Sequence, residues 1–298
     1  MTESEMRSLA ELLEARLGCR GFVLSALDVG CRWPVFRGEA PGREPVFVKL
    51  CPPEDARRAL RFLTAVGASR LLPRAVLSEA LDFRGQAVLC LEWKSAERVN
   101  AEDMTDAQAD GFLAGCVELS ELLARNPDVR IRPEDDPSHQ YAELVAYARR
   151  HSFLARLIAP LIGIPEDVRT YGDRRLVPIH GDLQPRNYGF DGNRLAAVFD
   201  FEALTMGLKC EDATYAFCER LRKSELSALS RRRLVRLFAR MAERSPWPRD
   251  EWRIAVNHCR LRIAARRLEN HPDSAFIAVD IARRDRPLRL LADVLSPR

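Results

Sequence analysis

Residues 177–202, VPIHGDLQPRNYGFDGNRLAAVFDFE, form the stretch from which the fold is read. An apolar run (Leu176, Val177, Ile179) leads into His180-Gly181-Asp182, and Asn187 follows five residues after that aspartate. Tyr188 to Phe190 is strand-like, Asp191-Gly192-Asn193 is a turn sequence, and a second apolar run, Leu195 to Phe199, ends on Asp200. Apolar runs on either side of an Asp-Gly-Asn cluster predict two short strands joined by a tight turn. Two carboxylates and an amide then stand just outside those strands.

Such a set suits phosphoryl transfer. That chemistry depends on positioned phosphates, on divalent metal to neutralise charge, and on a carboxylate beside the attacking hydroxyl. Mg²⁺ takes hard oxygen ligands, usually one or two protein carboxylates with phosphate oxygens completing the shell. Asp200 and Asn187 offer such oxygens, which leaves Asp182 for the acceptor. The spacing follows the protein-kinase order, in which H-R-D-L-x-x-x-N precedes D-F-G. Here the chain has H-G-D-L-Q-P-R-N from His180 to Asn187, and D-F-E from Asp200 to Glu202.

With Gly181 in place of the arginine and Glu202 in place of the final glycine, the chain resembles the aminoglycoside phosphotransferase and choline kinase family, whose members phosphorylate small molecules. The resemblance implies an α+β, protein-kinase-like two-lobed fold. A small antiparallel β-rich N-terminal lobe, residues 1–92, would bind nucleotide, and a larger, mainly helical C-terminal lobe, residues 93–298, would carry the catalytic loop and substrate pocket. It implies ATP and Mg²⁺ as cofactors, Asp182 as catalytic base, and Asn187 with Asp200 as Mg²⁺ ligands. By the same resemblance His180 buttresses the loop, and Asp212, just before Ala213, braces it through backbone amides.

The 298 residues suffice for two sub-domains with a sizeable core, and 47% hydrophobic with 30% charged residues is the balance of a soluble globular protein. No apolar run approaches the ~20 residues of a membrane-spanning helix. The N-terminus, MTESEMRSLAELLEARLG, is acidic and amphipathic, unlike a signal peptide. Eight cysteines are scattered without a CxxC pair, most within apolar runs, and read as small buried hydrophobes. These features predict a reduced, cytoplasmic protein without structural zinc, and no membrane partner. From Ala203 to Arg298, 21 lysines and arginines face 12 acids, a net +9 in a chain of +4. A basic region raises the question of an anionic partner. Arg231-Arg232-Arg233 and Arg260, Arg262, Arg266 and Arg267 sit on predicted amphipathic helices without interleaved aromatic residues, so they are read as solvated faces and no nucleic acid is expected.

Along the chain, helical spacing over 3–17 ends at Gly18, and strands are predicted over 21–27, 33–37 and 46–51. Lys49 stands inside VFVKL, where burial demands an anionic partner. The position fits the strand lysine that pairs nucleotide phosphates, although strand alternation also permits a lysine facing solvent. The loop Asp28-Val29-Gly30-Cys31, where a phosphate-covering loop belongs, has one glycine and no G-x-G-x-x-G. Prolines and acids at Pro52-Pro53-Glu54-Asp55 open a helix that stops at Gly67. In the family this helix carries a glutamate that holds the lysine. Ala59 occupies that place here, leaving Glu54, Asp55 or the phosphates themselves to hold Lys49.

Runs over 71–80 and 86–91 flank a hairpin-like turn at 82–85, and QAVLCLEW ends where a kinase hinge would pass the adenine. Backbone groups of Glu92 and Trp93 are therefore the candidate adenine contacts. Further helices are predicted over 105–125, 141–158, 211–222, 225–244, 252–269 and 274–295, with a proline-rich loop over 126–139 and a lead-in segment over 165–171.

The function predicted is ATP- and Mg²⁺-dependent transfer of the γ-phosphate to a hydroxyl of a small molecule, a sugar, an amino alcohol or an aminoglycoside-like compound. The basic C-terminal region favours a sugar, an amino alcohol or a phosphorylated metabolite over a polycationic aminoglycoside, although Glu202, Glu211 and Glu269 are acids that a cationic acceptor could use. The chain contains neither G-x-x-x-x-G-K-[ST] nor G-x-S-x-G, so a P-loop kinase and a serine hydrolase lack support. A non-catalytic kinase-like module that binds nucleotide or a partner is the alternative suggested by Ala59 and the glycine-poor loop. A protein kinase is disfavoured by Gly181, by Glu202 and by the lack of A-P-E after D-F-E.

Overall fold

The computed structural model describes residues 1–28, 32–125, 136–151, 155–162, 171, 174–223, 225–270 and 276–295. The expected phosphate-covering loop beyond Asp28, most of the expected loop over 126–139, the lead-in segment before Tyr171 and the expected helix start at Ser274 lie outside the described residues. The chain forms two compact units. One comprises Met1–Arg98, Arg186–Asp191 and Ala196–Glu202, and the other Val99–Pro185, Gly192–Leu195 and Ala203–Arg298.

In the first unit, helix α1 (Glu3–Leu17) opens on a capping box between Thr2 and Glu5 and stops at Gly18, whose φ is 62°. Strands β1 (Val23–Ala26), β2 (Val35–Glu39) and β3 (Val46–Cys51) follow, then α2 (Pro53–Val66), β4 (Leu81–Phe83) and β5 (Gln86–Glu92). The five strands form one antiparallel sheet in the order β1-β2-β3-β5-β4. Alternation along β3 sends Val46, Val48 and Leu50 to the face covered by α1, where they pack with Leu9, Leu13, Phe36, Val88 and Cys90. Phe47 and Lys49, paired with Leu91 and Leu89 on β5, look the other way. That second face is also enclosed, and Lys49 is only 4% exposed.

Of the two runs expected to flank the hairpin-like turn, that over 71–80 forms no strand. Apart from a bridge between Ala75 and Leu91 the chain there is irregular, and Pro73 removes one ladder donor. The hairpin is instead the shorter pair β4–β5, closed by Arg84 and Gly85 at φ 57° and 79°, the two left-handed positions a tight turn requires.

The described remainder adds α3 (Asp106–Leu123), α4 (Pro137–Arg150), α5 (Ala155–Ile162), β6 (Val177–Ile179), β7 (Tyr188–Asp191), β8 (Arg194–Val198), β9 (Thr205–Gly207), α6 (Glu211–Leu221), α7 (Ala228–Arg244), α8 (Arg249–Asn270) and α9 (Ile277–Asp293). Strand β6 pairs antiparallel with β9, and β7 with β8 makes the ribbon predicted from the central stretch. The helix expected from 141 starts earlier, at Pro137. Asp136 accepts from the Ser138 amide at 2.9 Å and caps it, and proline suits a first helical position. It ends at Arg150, so the single helix expected to 158 is two pieces. Leu144 and Tyr147 of α4, Ile158 and Leu161 of α5, Leu261 of α8 and Ile281 of α9 meet in one core.

Two of the α8 arginines, Arg260 and Arg262, are not on the solvated face the sequence suggested. Arg260 is 5% exposed and grips Asp285 with two hydrogen bonds of 2.6 and 3.1 Å, and Arg262 is 1% exposed. The helix is packed on several sides, so these cations are interior and need partners. Cys51, Cys90, Cys116, Cys210, Cys218 and Cys259 are buried free thiols. Among the described residues no helix is long and apolar enough to cross a membrane.

Candidate active site

The first unit gathers most of the predicted site. The β7–β8 ribbon folds the chain back so that the Phe199 amide donates to the Asn187 carbonyl at 2.8 Å, which sets Asn187 beside the residue preceding Asp200. Asp200 has φ 68°, a left-handed backbone that aspartate tolerates better than most residues with a Cβ. Such an outlier is worth attention where function needs a fixed side chain. Lys49 Nζ, reaching from β3, lies 2.9 Å from Asp200 Oδ1 and 2.5 Å from Glu202 Oε1. Burial acts to lower the Lys49 pKa, but the two carboxylates outweigh it and hold it above the usual lysine value. Burial, then the charge of Asp200, pushes Glu202 above the ordinary carboxylate range, with Lys49 opposing the shift. Burial and the nearby Glu202 carry the Cys51 thiol up to about 12.

Lys49, Asn187, Asp200 and Glu202 line a cavity of about 330 Å³ together with Leu27, Phe47, Leu89, Leu91, Trp93, Phe199 and Phe201. Lys94, Arg98 and Arg186 also line it. A cavity lined by both apolar and cationic side chains suits a ligand with a flat apolar part and an anionic tail. Of the two expected hinge contacts, Trp93 lines the cavity. The Glu92 amide donates to the Arg74 carbonyl at 2.8 Å, and its carboxylate lies 3.3 Å from the Arg74 guanidinium and 3.6 Å from Lys94. Helix α2 contributes Ala59 to the wall, while Glu54 pairs with Arg58 at 3.7 Å.

In the second unit, the loop His180-Gly181-Asp182 is fixed from several sides. Asp212, at the start of α6, accepts from the His180 amide at 2.8 Å and the Gly181 amide at 2.9 Å. Burial raises the Asp212 pKa, against His180 and these two amides, which favour its charge. His180 is fully buried, and its Nδ1 accepts from the Asp182 amide at 3.2 Å. Gln184 Nε2 donates to both Asp182 carboxylate oxygens, at 2.9 and 2.8 Å. Arg262 Nη2 donates to the Gly181 carbonyl at 2.5 Å, with its guanidinium 4.8 Å from the Tyr215 ring centroid. The bracing expected of Asp212 and the buttressing expected of His180 are thus both present. Arg262 was missed, and its signal was an arginine inside the apolar run IAVNHCRLRIAA.

Glu211 is buried, 2.7 Å from His258 Nδ1, and accepts from the Tyr171 hydroxyl at 2.7 Å and the Leu208 amide at 3.1 Å. Burial raises its pKa, but His258 and the hydrogen bonds prevail and depress it. Glu202 and Glu211 are therefore engaged within the protein, and Glu269 lies exposed near the end of α8.

A β-rich N-terminal region ahead of a mainly helical part, with the strand lysine on the aspartate of D-F-E, defines a kinase-like protein. Residues 34–247 match the model of the phosphotransferase enzyme family (APH), and the chain belongs to that family. Solved structures agree in fold. Aminoglycoside phosphotransferase APH(4)-Ia, as a thermostable mutant in ternary complex with ADP and hygromycin B, matches with a TM-score of 0.62 and 14% identity over 95% of this chain and 98% of that one. ADP-bound aminoglycoside phosphotransferase APH(2'')-Ib gives a TM-score of 0.57 and 16% identity, covering 99% of both chains. The apoenzyme of the macrolide 2'-phosphotransferase MphH from Brachybacterium faecium gives 0.54 and 17%, again covering 99% of both. No curated protein matched the sequence.

Proposed function

We propose that this protein transfers the γ-phosphate of ATP, with Mg²⁺, to a hydroxyl group of a small molecule. The observation that supports this most is the 2.9 Å pair between Lys49 and Asp200 in the lining of a largely apolar cavity. Lys49, with Lys94, Arg98 and Arg186 of the same lining, supplies the cationic charge a polyphosphate needs. Trp93 and the leucines of β5 offer a surface for the base. The Asp200 carboxylate and the Asn187 side-chain oxygen are hard donors suited to Mg²⁺, and Lys49 already provides the anionic site with a cation. Among the described residues no group of three or more His, Cys, Asp or Glu is arranged to hold a metal ion, so phosphate oxygens would complete the shell. When bound, the ion would neutralise charge on the transferred phosphoryl group.

Asp182 is assigned the acceptor hydroxyl, orienting it for in-line attack and taking its proton late, as a loose transition state requires. The bonds to Asp212, His180, Gln184 and Arg262 support a positioning role, because they fix the loop before substrate arrives. The acceptor class favoured is a sugar, amino alcohol or phosphorylated metabolite, since Glu202 and Glu211 are engaged internally and the C-terminal region is basic. The test is an ATP hydrolysis and phosphotransfer screen over aminoglycosides, sugars, choline-like alcohols and a generic protein substrate. Transfer to a small alcohol is expected. Binding of ATP without any turnover would favour a non-catalytic nucleotide-binding module.

A further inference from the structure

We infer that Glu202 is the positioning residue that holds Lys49 for the nucleotide phosphates, taking the role that Ala59 leaves empty on α2; this rests on the phosphotransferase reading. Among the described residues the lysine has two carboxylates within reach, and the reading assigns one of them, Asp200, to Mg²⁺. A carboxylate engaged with a divalent cation is a weak partner for an ammonium group, which leaves Glu202, among the described residues paired with Lys49, to keep it in place. The Lys49 and Glu202 side chains are 5% and 22% exposed, which leaves their attraction poorly screened by solvent.

Glu202 is itself fixed, and α2 does the fixing. The Glu202 carbonyl accepts from Arg58 Nη1 at 2.9 Å, and the Phe201 ring lies 4.9 Å from that of Phe62. Arg58 and Phe62 both belong to α2. The helix therefore grips the turn that carries the glutamate, where a helix glutamate would grip the lysine directly. Ala59 lines the same cavity and is 2% exposed, and its side chain carries no carboxylate to compete. Glu54, one of the acids considered from the sequence, is turned to Arg58.

The experiment compares Glu202→Gln, Ala59→Glu and the double variant with wild type, measuring kcat and KM for Mg²⁺-ATP hydrolysis together with the thermal midpoint. A positioning role predicts that Glu202→Gln loses about 10²-fold in kcat while KM for ATP changes by no more than about threefold. The double variant, with an acid returned to the helix, should recover about tenfold of that loss, which a merely structural role would not produce. Should Glu202→Gln fail to fold, Glu202→Asp keeps the charge but withdraws it by one methylene, and about a tenfold loss in kcat is expected. Wild-type rates in Glu202→Gln or Glu202→Asp, or a double variant no better than Glu202→Gln, would overturn the inference alone. A wild-type protein that neither binds nor hydrolyses ATP would overturn the phosphotransferase reading and the inference with it.

Discussion

Replacing Gly181 by alanine probes the loop that presents Asp182. Gly181 has φ 77°, and a Cβ built there lies 2.2 Å from the Ala203 carbonyl oxygen and 3.2 Å from Thr205 Cγ2. A left-handed backbone alone costs a residue with a Cβ about 1–2 kcal/mol. Restoring an ordinary contact of 3.4 Å from 2.2 Å requires a displacement of about 1.2 Å. The loop is poorly able to supply it, because Asp212 holds the Gly181 amide and Arg262 its carbonyl. Overpacking of this kind adds about 1–3 kcal/mol, whereas the lower entropy of the unfolded alanine chain returns only about 0.4–1 kcal/mol. The clash wins, and the net loss is about 3 kcal/mol, or about 6 °C in thermal midpoint at the low end of the shift larger domains show. Turnover should fall about 10²-fold, since a displacement near 1 Å at the reacting group has that effect. Gly192→Ala is the control: φ is 57° but nothing lies within 4 Å of its Cβ, so only about 1 kcal/mol should be lost. Circular-dichroism melts and ATP turnover of both variants decide the matter. If Gly181→Ala melts no lower than Gly192→Ala and turns over at the wild-type rate, the close packing of this loop is not what holds Asp182.

Lys49→Met leaves Asp200 and Glu202 side by side without their ammonium, and urea unfolding at neutral pH should register a loss of about 3–5 kcal/mol; a loss below about 1 kcal/mol would deny the pairing its weight. Glu211 has a folded pKa below its ordinary value of 4.5, so the unfolded chain binds the proton more readily. Its contribution is complete above about pH 4.5 and is lost as pH falls through the folded value, and Glu211→Gln should flatten the acid limb of a stability-against-pH curve. Burial pushes the Cys51 and Cys90 thiols up to about 12, and native alkylation at neutral pH, followed by mass spectrometry, should leave both unmodified while labelling the half-buried Cys19.

The central stretch was legible because its information is local. Two apolar runs about an Asp-Gly-Asn turn set the ribbon, and ribbon closure alone brings Asn187 near Asp200. Lys49 was legible because an ammonium inside VFVKL needs a counter-charge, and two were found. The identity of the second, Glu202, was not, because a 153-residue separation along the chain is bridged only by folding. The same limit hid Arg262, whose acceptor is a backbone carbonyl without a side-chain signature. The run over 71–80 does not pair into the hairpin, where Pro73 interrupts the ladder, and periodicity misplaced the start of α4, where the Asp136 cap and Pro137 outweigh the apolar pattern. It also misread α8, since a helix packed on several sides has no single polar face.

The most direct test is steady-state ATP turnover by Asp182→Ala, with ATP affinity measured on the same preparation. Turnover should fall by about 10³-fold while affinity for Mg²⁺-ATP stays within about twofold, since Asp182 is assigned to the acceptor and not to the nucleotide. Full turnover by this variant would contradict the assignment of Asp182 and, with it, the division of labour between the acceptor loop and the Lys49–Asp200 site.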